Sequence, residues 1–321
     1  MLEKGLLFSR HAWYNNIETV PCVALVGVVG MENYKFFKKP QLKSPCLIAA
    51  WSGMGGVALI ATKTLQQKLH AEECGEILPH DFFSPAEVLI EDYVIQTPKF
   101  PENKFFFWDK GDRHDLLIFV GSEQPQRGWE FAHRILDVAE EFRVRRIYTS
   151  AAFPLWMHHS REPRVWGTAT NAQLVKYLEV YGVIPMGEGT IGGLNGLLLG
   201  VARQRGMEGV CLLGEMPIYA TRIANPKASQ AVLEVLTKML GIEMDLEDLT
   251  VMAEQMEPNM EQLYGFLSEE AKEAIARFED LTANLGSPLR WDSGRAFEAD
   301  QELFDEIERF LREQRDKGEE L

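Results

Sequence analysis

The sequence predicts an α/β protein, a mixed, mainly parallel central sheet flanked by helices, followed by an acidic helical C-terminal extension. Apolar runs of strand length, such as LLIFV at 116–120, alternate with segments whose apolar residues recur at helical spacing. Unbroken apolar runs of that kind suit strands buried on both faces, as in a parallel sheet covered by helices. The third observation is charge: of 33 basic and 48 acidic side chains, positions 241–321 hold 8 and 23. The body ahead of them is neutral.

Positions 1–41 form an N-terminal segment. Its apolar stretch CVALVGVVGM (22–31) lies too far from the start, behind Glu3 and Glu18, for a secretory h-region. Met31 is a candidate true start, because well-patterned sequence begins only near Leu42. The α/β domain is expected over 42–244. CLIAAW (46–51) is its first strand, ending at SGMGG, with Val57, Ile60, Ala61, Leu65 and Leu69 on one face of the next helix. Between 76 and 110 the rhythm breaks. VLIEDYVIQTP and NKFFFWD read as hairpin strands, an antiparallel extension of the same sheet.

LLIFV then ends in GSEQP, and Phe131, Ile135, Val138, Ala139 and Phe142 mark a helix. RIYTSAAF (146–153) is the next strand, backed by a helix through Leu174, Val175 and Leu178. Leu194, Leu197, Leu198, Val201 and Ala202 mark another helix, leading into strand VCLLGE (210–215). A helix through Ala228, Val232, Val235 and Met239 closes the series. The extension, 245–321, is helix-prone from 245 to 283 and ends in a helix near 299–316. That last helix carries Leu303, Phe304, Ile307, Phe310 and Leu311 as an apolar stripe, a contact for its own chain or a partner.

With 46% hydrophobic and 25% charged residues, the composition excludes a wholly disordered chain, a collagen-like repeat and a disulfide-stapled miniprotein. Cys22, Cys46, Cys74 and Cys211 show no CxxC spacing, so reduced, buried thiols in a cytoplasmic protein are expected. An acidic tail repels phosphate backbones, so nucleic acid is not an expected partner. No apolar run reaches membrane-spanning length.

The chemistry-bearing residues are few. Gly53, Gly55 and Gly56 stand between a strand and a helix, where free N–H groups can hold an anion or a tight turn can serve packing. GEGTIGGLNG (187–196) is the densest glycine cluster, with Glu188 and Asn195 its strongly polar side chains; it suits close approach of a ligand or of another backbone. Glu123 and Glu215 sit just past strand ends, where open α/β sheets bind ligands. Glu123, Glu188 and Glu215 would converge there, with Gln124 and Asn195 as hydrogen-bond partners, for acid/base work or for accepting loop N–H groups. His158 and His159 are adjacent, point apart and have no third ligand nearby in sequence, so no metal is expected. No nucleophile motif occurs. No catalytic residue and no cofactor are assigned.

Taken together, CLIAAWSGMGGVAL (46–59), LLIFVGSEQP (116–125), RRIYTSAA (145–152), PRVWGTATN (163–171), GEGTIGGLNGLLLG (187–200), GVCLLGEMPIY (209–219) and PKASQAVLEVLTKMLGIEMDLEDL (226–249) resemble the proteasome-assembly-chaperone family, second-chaperone type. The chain is similar to its prokaryotic members of unknown function. The resemblance implies a nucleoside phosphorylase-like fold and a homo-oligomer, trimer or larger. By its eukaryotic members, which bind proteasome subunits during assembly, it also implies binding without chemistry. Family members can dock on proteasome rings through a C-terminal hydrophobic–Tyr–any tripeptide; Glu319-Glu320-Leu321 departs from it, so docking of that kind is not expected.

Two functions follow. The first is a non-catalytic oligomeric assembly protein that uses the 303–311 stripe as a contact. The second is an enzyme or small-ligand sensor with a phosphorylase-like pocket, for a nucleoside and phosphate or a carboxylate–amine ligation. That pocket would need basic groups for an anion, and only Arg127, Arg164 and Arg222 lie near the loops.

Overall fold

A computed structural model describes residues 33–84, 88–109, 115–122 and 124–283 of the 321-residue chain. Glu123, Cys22 and the 303–311 stripe lie outside the described residues.

Four strands form the centre of the sheet: β2 (Cys46–Ala50), β7 (Leu116–Gly121), β8 (Arg146–Leu155) and β11 (Glu208–Pro217). They lie in the order β7-β2-β8-β11 and all run parallel. Every residue of β2 is buried, which is why its sequence is unbroken apolar rather than alternating. Beyond β7, the strands β6 (Asn103–Trp108), β3 (Glu72–Ile77) and β1 (Tyr34–Phe36) continue the sheet antiparallel. Beyond β11, β9 (Val165–Ala169) pairs antiparallel and β10 (Ile184–Pro185) closes that edge parallel to β9. Both edges are short, which limits open-ended pairing.

Helices cover both faces. On one, Leu47, Ala49 and Trp51 meet Phe131, Ile135 and Val138 of α2 (Gly128–Glu141) and Leu194, Leu198 and Val201 of α4 (Gly193–Gln204). On the other, Cys46 and Ile48 meet Val57, Ala61 and Leu65 of α1 (Val57–Lys68). Leu174 and Leu178 of α3 (Ala172–Glu179) join that layer, as do Val232 and Leu236 of α5 (Pro226–Leu240). The odd–even split along β2 is the period of a strand dividing its side chains between two layers. The mixed sheet with helices on both sides is therefore as expected.

Two further helices follow, α6 (Glu247–Gly265) and α7 (Glu269–Ala283). Leu249 of α6 joins the layer of α5, while Met260, Leu263, Leu267, Ala271 and Ile275 form a separate cluster with Ile218, Tyr219 and Ala220. No helix of the described residues is long and apolar enough to cross a membrane.

One expectation is corrected. VLIEDYVIQTP does not extend the central sheet. Its strands β4 (Ile90–Glu91) and β5 (Val94–Ile95) pair only with each other, as a separate two-stranded ribbon. Asp92 and Tyr93 have φ of 49° and 66°, both left-handed, which makes the two-residue connection a primed turn whose twist closes the hairpin on itself. NKFFFWD, by contrast, does join the sheet, as β6.

Cys46, Cys74 and Cys211 are free and buried. Burial pushes the Cys74 thiol up to about 12 and the Cys211 thiol up to about 11. Neither forms appreciable thiolate at neutral pH. In a Cys22→Ser chain at pH 8, no thiol is expected to react with a maleimide until denaturant unfolds the protein. Rapid labelling of the folded chain would contradict the burial.

Candidate functional site

The parallel centre sends the turns after β2, β7, β8 and β11 to one end of the sheet, the end where open α/β sheets carry ligands. Gln124 ties two of these turns to α4. Its Nε2 donates to the Ser52 carbonyl at 2.9 Å, and its Oε1 accepts from the Leu194 N–H at 3.3 Å. The SGMGG turn and the glycine-rich opening of α4 are thus neighbours, as the candidate site requires. The Thr149 hydroxyl donates to the Asn195 carbonyl at 3.2 Å, anchoring α4 on β8. Asn195 is buried, and its side-chain Oδ1 has no hydrogen-bond partner among the described residues.

The glycines serve packing at two positions in particular. Gly55 has φ +61°, and a Cβ there would lie 2.9 Å from Met216 Cε. Its N–H donates to the Thr221 carbonyl and its carbonyl accepts from the Asn225 N–H, both at 2.8 Å, so the turn is sewn onto the segment after β11. Gly196 allows the Ile191 carbonyl to sit where a Cβ would be, at 2.2 Å. Gly53, on the other hand, is open, with nothing within 4 Å of an added Cβ.

The three acids do not converge as a triad. Glu188 is exposed, and Glu123 lies outside the described residues. Glu215 lies within β11 rather than past its end, and it is fully buried. Its carboxylate is bound by Arg164, whose Nη2 and Nε lie 2.8 and 2.9 Å from Oε1. The Trp166 indole N–H donates to Oε1 at 2.8 Å, and the Arg164 backbone N–H donates to Oε2 at 3.0 Å. The Glu215 N–H returns a bond to the Arg164 carbonyl at 3.1 Å, carrying the β9–β11 ladder one pair further. Arg164 is therefore bound to Glu215 rather than set out for an anion, and Arg127 pairs on the surface with Glu130 at 3.0 Å.

Sequence distance hid a second cluster at the same end of the sheet. His158 and His159 do not point apart: their rings lie 4.1 Å apart between centroids, tilted by 32°. His159 is buried, with Nδ1 2.8 Å from the Tyr219 hydroxyl and Nε2 3.1 Å from Glu261 of α6. Burial, and after it His158, pushes the His159 pKa down despite the carboxylates of Glu257 and Glu261. No sequence motif marks this pairing, because the partners lie about a hundred residues apart and meet only when α6 docks.

A model of the PAC2 family matches residues 47–264. An uncharacterized protein of Methanocaldococcus jannaschii, MJ1210, is 28% identical over 251 residues, 74% of this chain and 89% of that protein. Among solved structures, Pyrococcus furiosus PbaB, described as an archaeal proteasome activator, superposes with a TM-score of 0.62. It is 30% identical, over 73% of this chain and all of that one. Pyrococcus furiosus PbaA, described as an archaeal homolog of proteasome-assembly chaperone, gives a TM-score of 0.56 at 25% identity, over 79% of this chain and all of that one.

Proposed function

Because the chain belongs to the PAC2 family, we propose that it is a non-catalytic, chaperone-like assembly protein of the cytoplasm that works as a homo-oligomer of three or more copies. Relatives described as a proteasome activator and as a homolog of proteasome-assembly chaperone support a role in binding protein. The state of Glu215 supports a role without chemistry. A carboxylate already bound to a guanidinium, an indole and a backbone N–H is held in place by structure rather than poised for proton transfer.

The observation that carries the reading is the hairpin β4–β5. Val88, Leu89, Ile90, Val94 and Ile95 are about half exposed or more, and Tyr93 is 103% exposed. A two-stranded hairpin is marginal in water by itself. Six large apolar side chains left open on one present an area on the order of several hundred Å², the scale that marks an interaction surface. A second copy of this chain is its occupant, since a patch of this size supplies much of the roughly 800 Å² that each partner buries in a standard interface. The stripe Leu303, Phe304, Ile307, Phe310 and Leu311 is a proposed second contact.

Sedimentation velocity tests the reading. The intact chain is expected to sediment as a trimer or larger. Replacing Ile90, Tyr93 and Ile95 together by serine is expected to weaken that assembly while each copy stays folded, because these side chains are solvent-exposed in the single chain and support no core. A chain truncated before Gly286 separates the contribution of the stripe from that of the hairpin.

A further inference from the structure

His159 offers its Nε2 toward α6, where it meets two carboxylates rather than one. Glu261 Oε2 is 3.1 Å away and Glu257 Oε1 is 3.5 Å away. The two acids stand four residues apart on α6, hence one turn apart on the same face. Like charges so placed repel each other on a bare helix, yet both are aimed at one imidazole nitrogen. One ligand atom from each of His158, His159 and Glu261 lies within 4.8 Å of the other two.

We propose that His158, His159, Glu257 and Glu261 bind a divalent transition-metal ion, zinc fitting best. Two imidazoles with two carboxylates are a mixed nitrogen and oxygen set, which suits zinc and its neighbours in the first transition row rather than magnesium or calcium. The spacing around His159 agrees as well. Ligands at 2.0–2.1 Å in a tetrahedron stand about 3.3 Å from one another, and the 3.1 and 3.5 Å separations of His159 from the two acids bracket that value; the His158 ligand atom, within 4.8 Å of those of His159 and Glu261, and the Glu257 carboxylate would draw in around the ion.

Partners behind the ligands hold them in place, as metal-binding histidines need. The Tyr219 hydroxyl is 2.8 Å from Nδ1 of His159, fixing the ring with Nε2 toward the acids. The Ser160 hydroxyl is 2.8 Å from Nδ1 of His158, and Tyr264 packs edge-on against that ring. Two ligands come from the loop after β8 and two from α6. A bound ion would therefore clamp the helix onto the loop, over the cluster that Tyr219 and Met260 share.

Isothermal titration of the chelator-treated full chain with zinc chloride tests the site, with cobalt chloride as a spectroscopic probe. One equivalent is expected at micromolar affinity or tighter, with the intense visible absorption of tetrahedral cobalt. Magnesium is not expected to compete. Glu257→Gln and Glu261→Gln alter exposed side chains, so both variants should fold. Each is expected to weaken zinc binding by about tenfold or more and to bleach the cobalt bands. If zinc does not bind at 100 µM, or binds the two variants as tightly as the native chain, the assignment is overturned.

Discussion

Replacing Arg164 by methionine is expected to destabilise the fold by about 3–5 kcal/mol, the scale of stranding a buried charge. Glu215 is wholly buried and Arg164 is its cationic partner, so the variant leaves a carboxylate held only by the Trp166 indole and one backbone N–H. The damage comes from the uncompensated charge rather than from a lost attraction. Converting Glu215 to methionine as well is therefore expected to recover most of the loss, since apolar pairs of similar volume often match buried ion pairs. Urea unfolding of the two variants checks both halves. A loss below about 1 kcal/mol for Arg164→Met would mean that the pair is screened like a surface bridge.

The second large effect is expected at Gly196. An alanine there would place its Cβ 2.2 Å from the Ile191 carbonyl and 2.9 Å from the Ile191 Cβ. A backbone oxygen cannot rotate aside, so the 187–192 loop or the start of α4 must shift, at a cost of about 1–3 kcal/mol. Gly200 supplies the control. It lies on the same helix with nothing within 4 Å of an added Cβ, so Gly200→Ala is expected to stabilise by about 0.5–1 kcal/mol through helix propensity alone. Opposite signs on one helix, read by thermal unfolding, would show that the cluster packs one backbone against another. Equal effects would contradict it.

The elements legible in the sequence are those whose burial leaves a simple pattern. β2, β7, β8 and β11 are covered on both faces and read as apolar runs; α2, α4 and α5 each present one apolar face. β9 leaves little mark in the sequence because VWGTA is short and carries a glycine and a threonine, and its insertion antiparallel beside β11 leaves no periodic trace. β3 is hidden in the sequence because Glu72 and Glu73 are exposed near the sheet's edge and mask its buried positions. The 88–95 hairpin reads as strands of the central sheet and pairs instead with itself. Alternation shows that a strand exists, not what it pairs with, and the primed turn at Asp92 and Tyr93 decided that.

The candidate site divides in the same way. The closeness of Gln124 and the two glycine turns was legible, since strand ends in a parallel sheet share one end. The partner of Glu215 was not, because Arg164 lies 51 residues away and meets it across a strand that the pattern did not reveal. His158 and His159 met their acids only through the docking of α6, an event of tertiary packing.

The central claim is that this chain acts by assembling with copies of itself through an exposed apolar hairpin. Sedimentation velocity of the intact chain against the Ile90, Tyr93 and Ile95 triple serine variant, both over a hundredfold range of concentration, tests it most directly. The account predicts a trimer or larger that loses mass in the variant while each copy keeps its fold, its melting temperature lowered only by the lost association. A monomeric native chain, or a variant of undiminished mass, would contradict it.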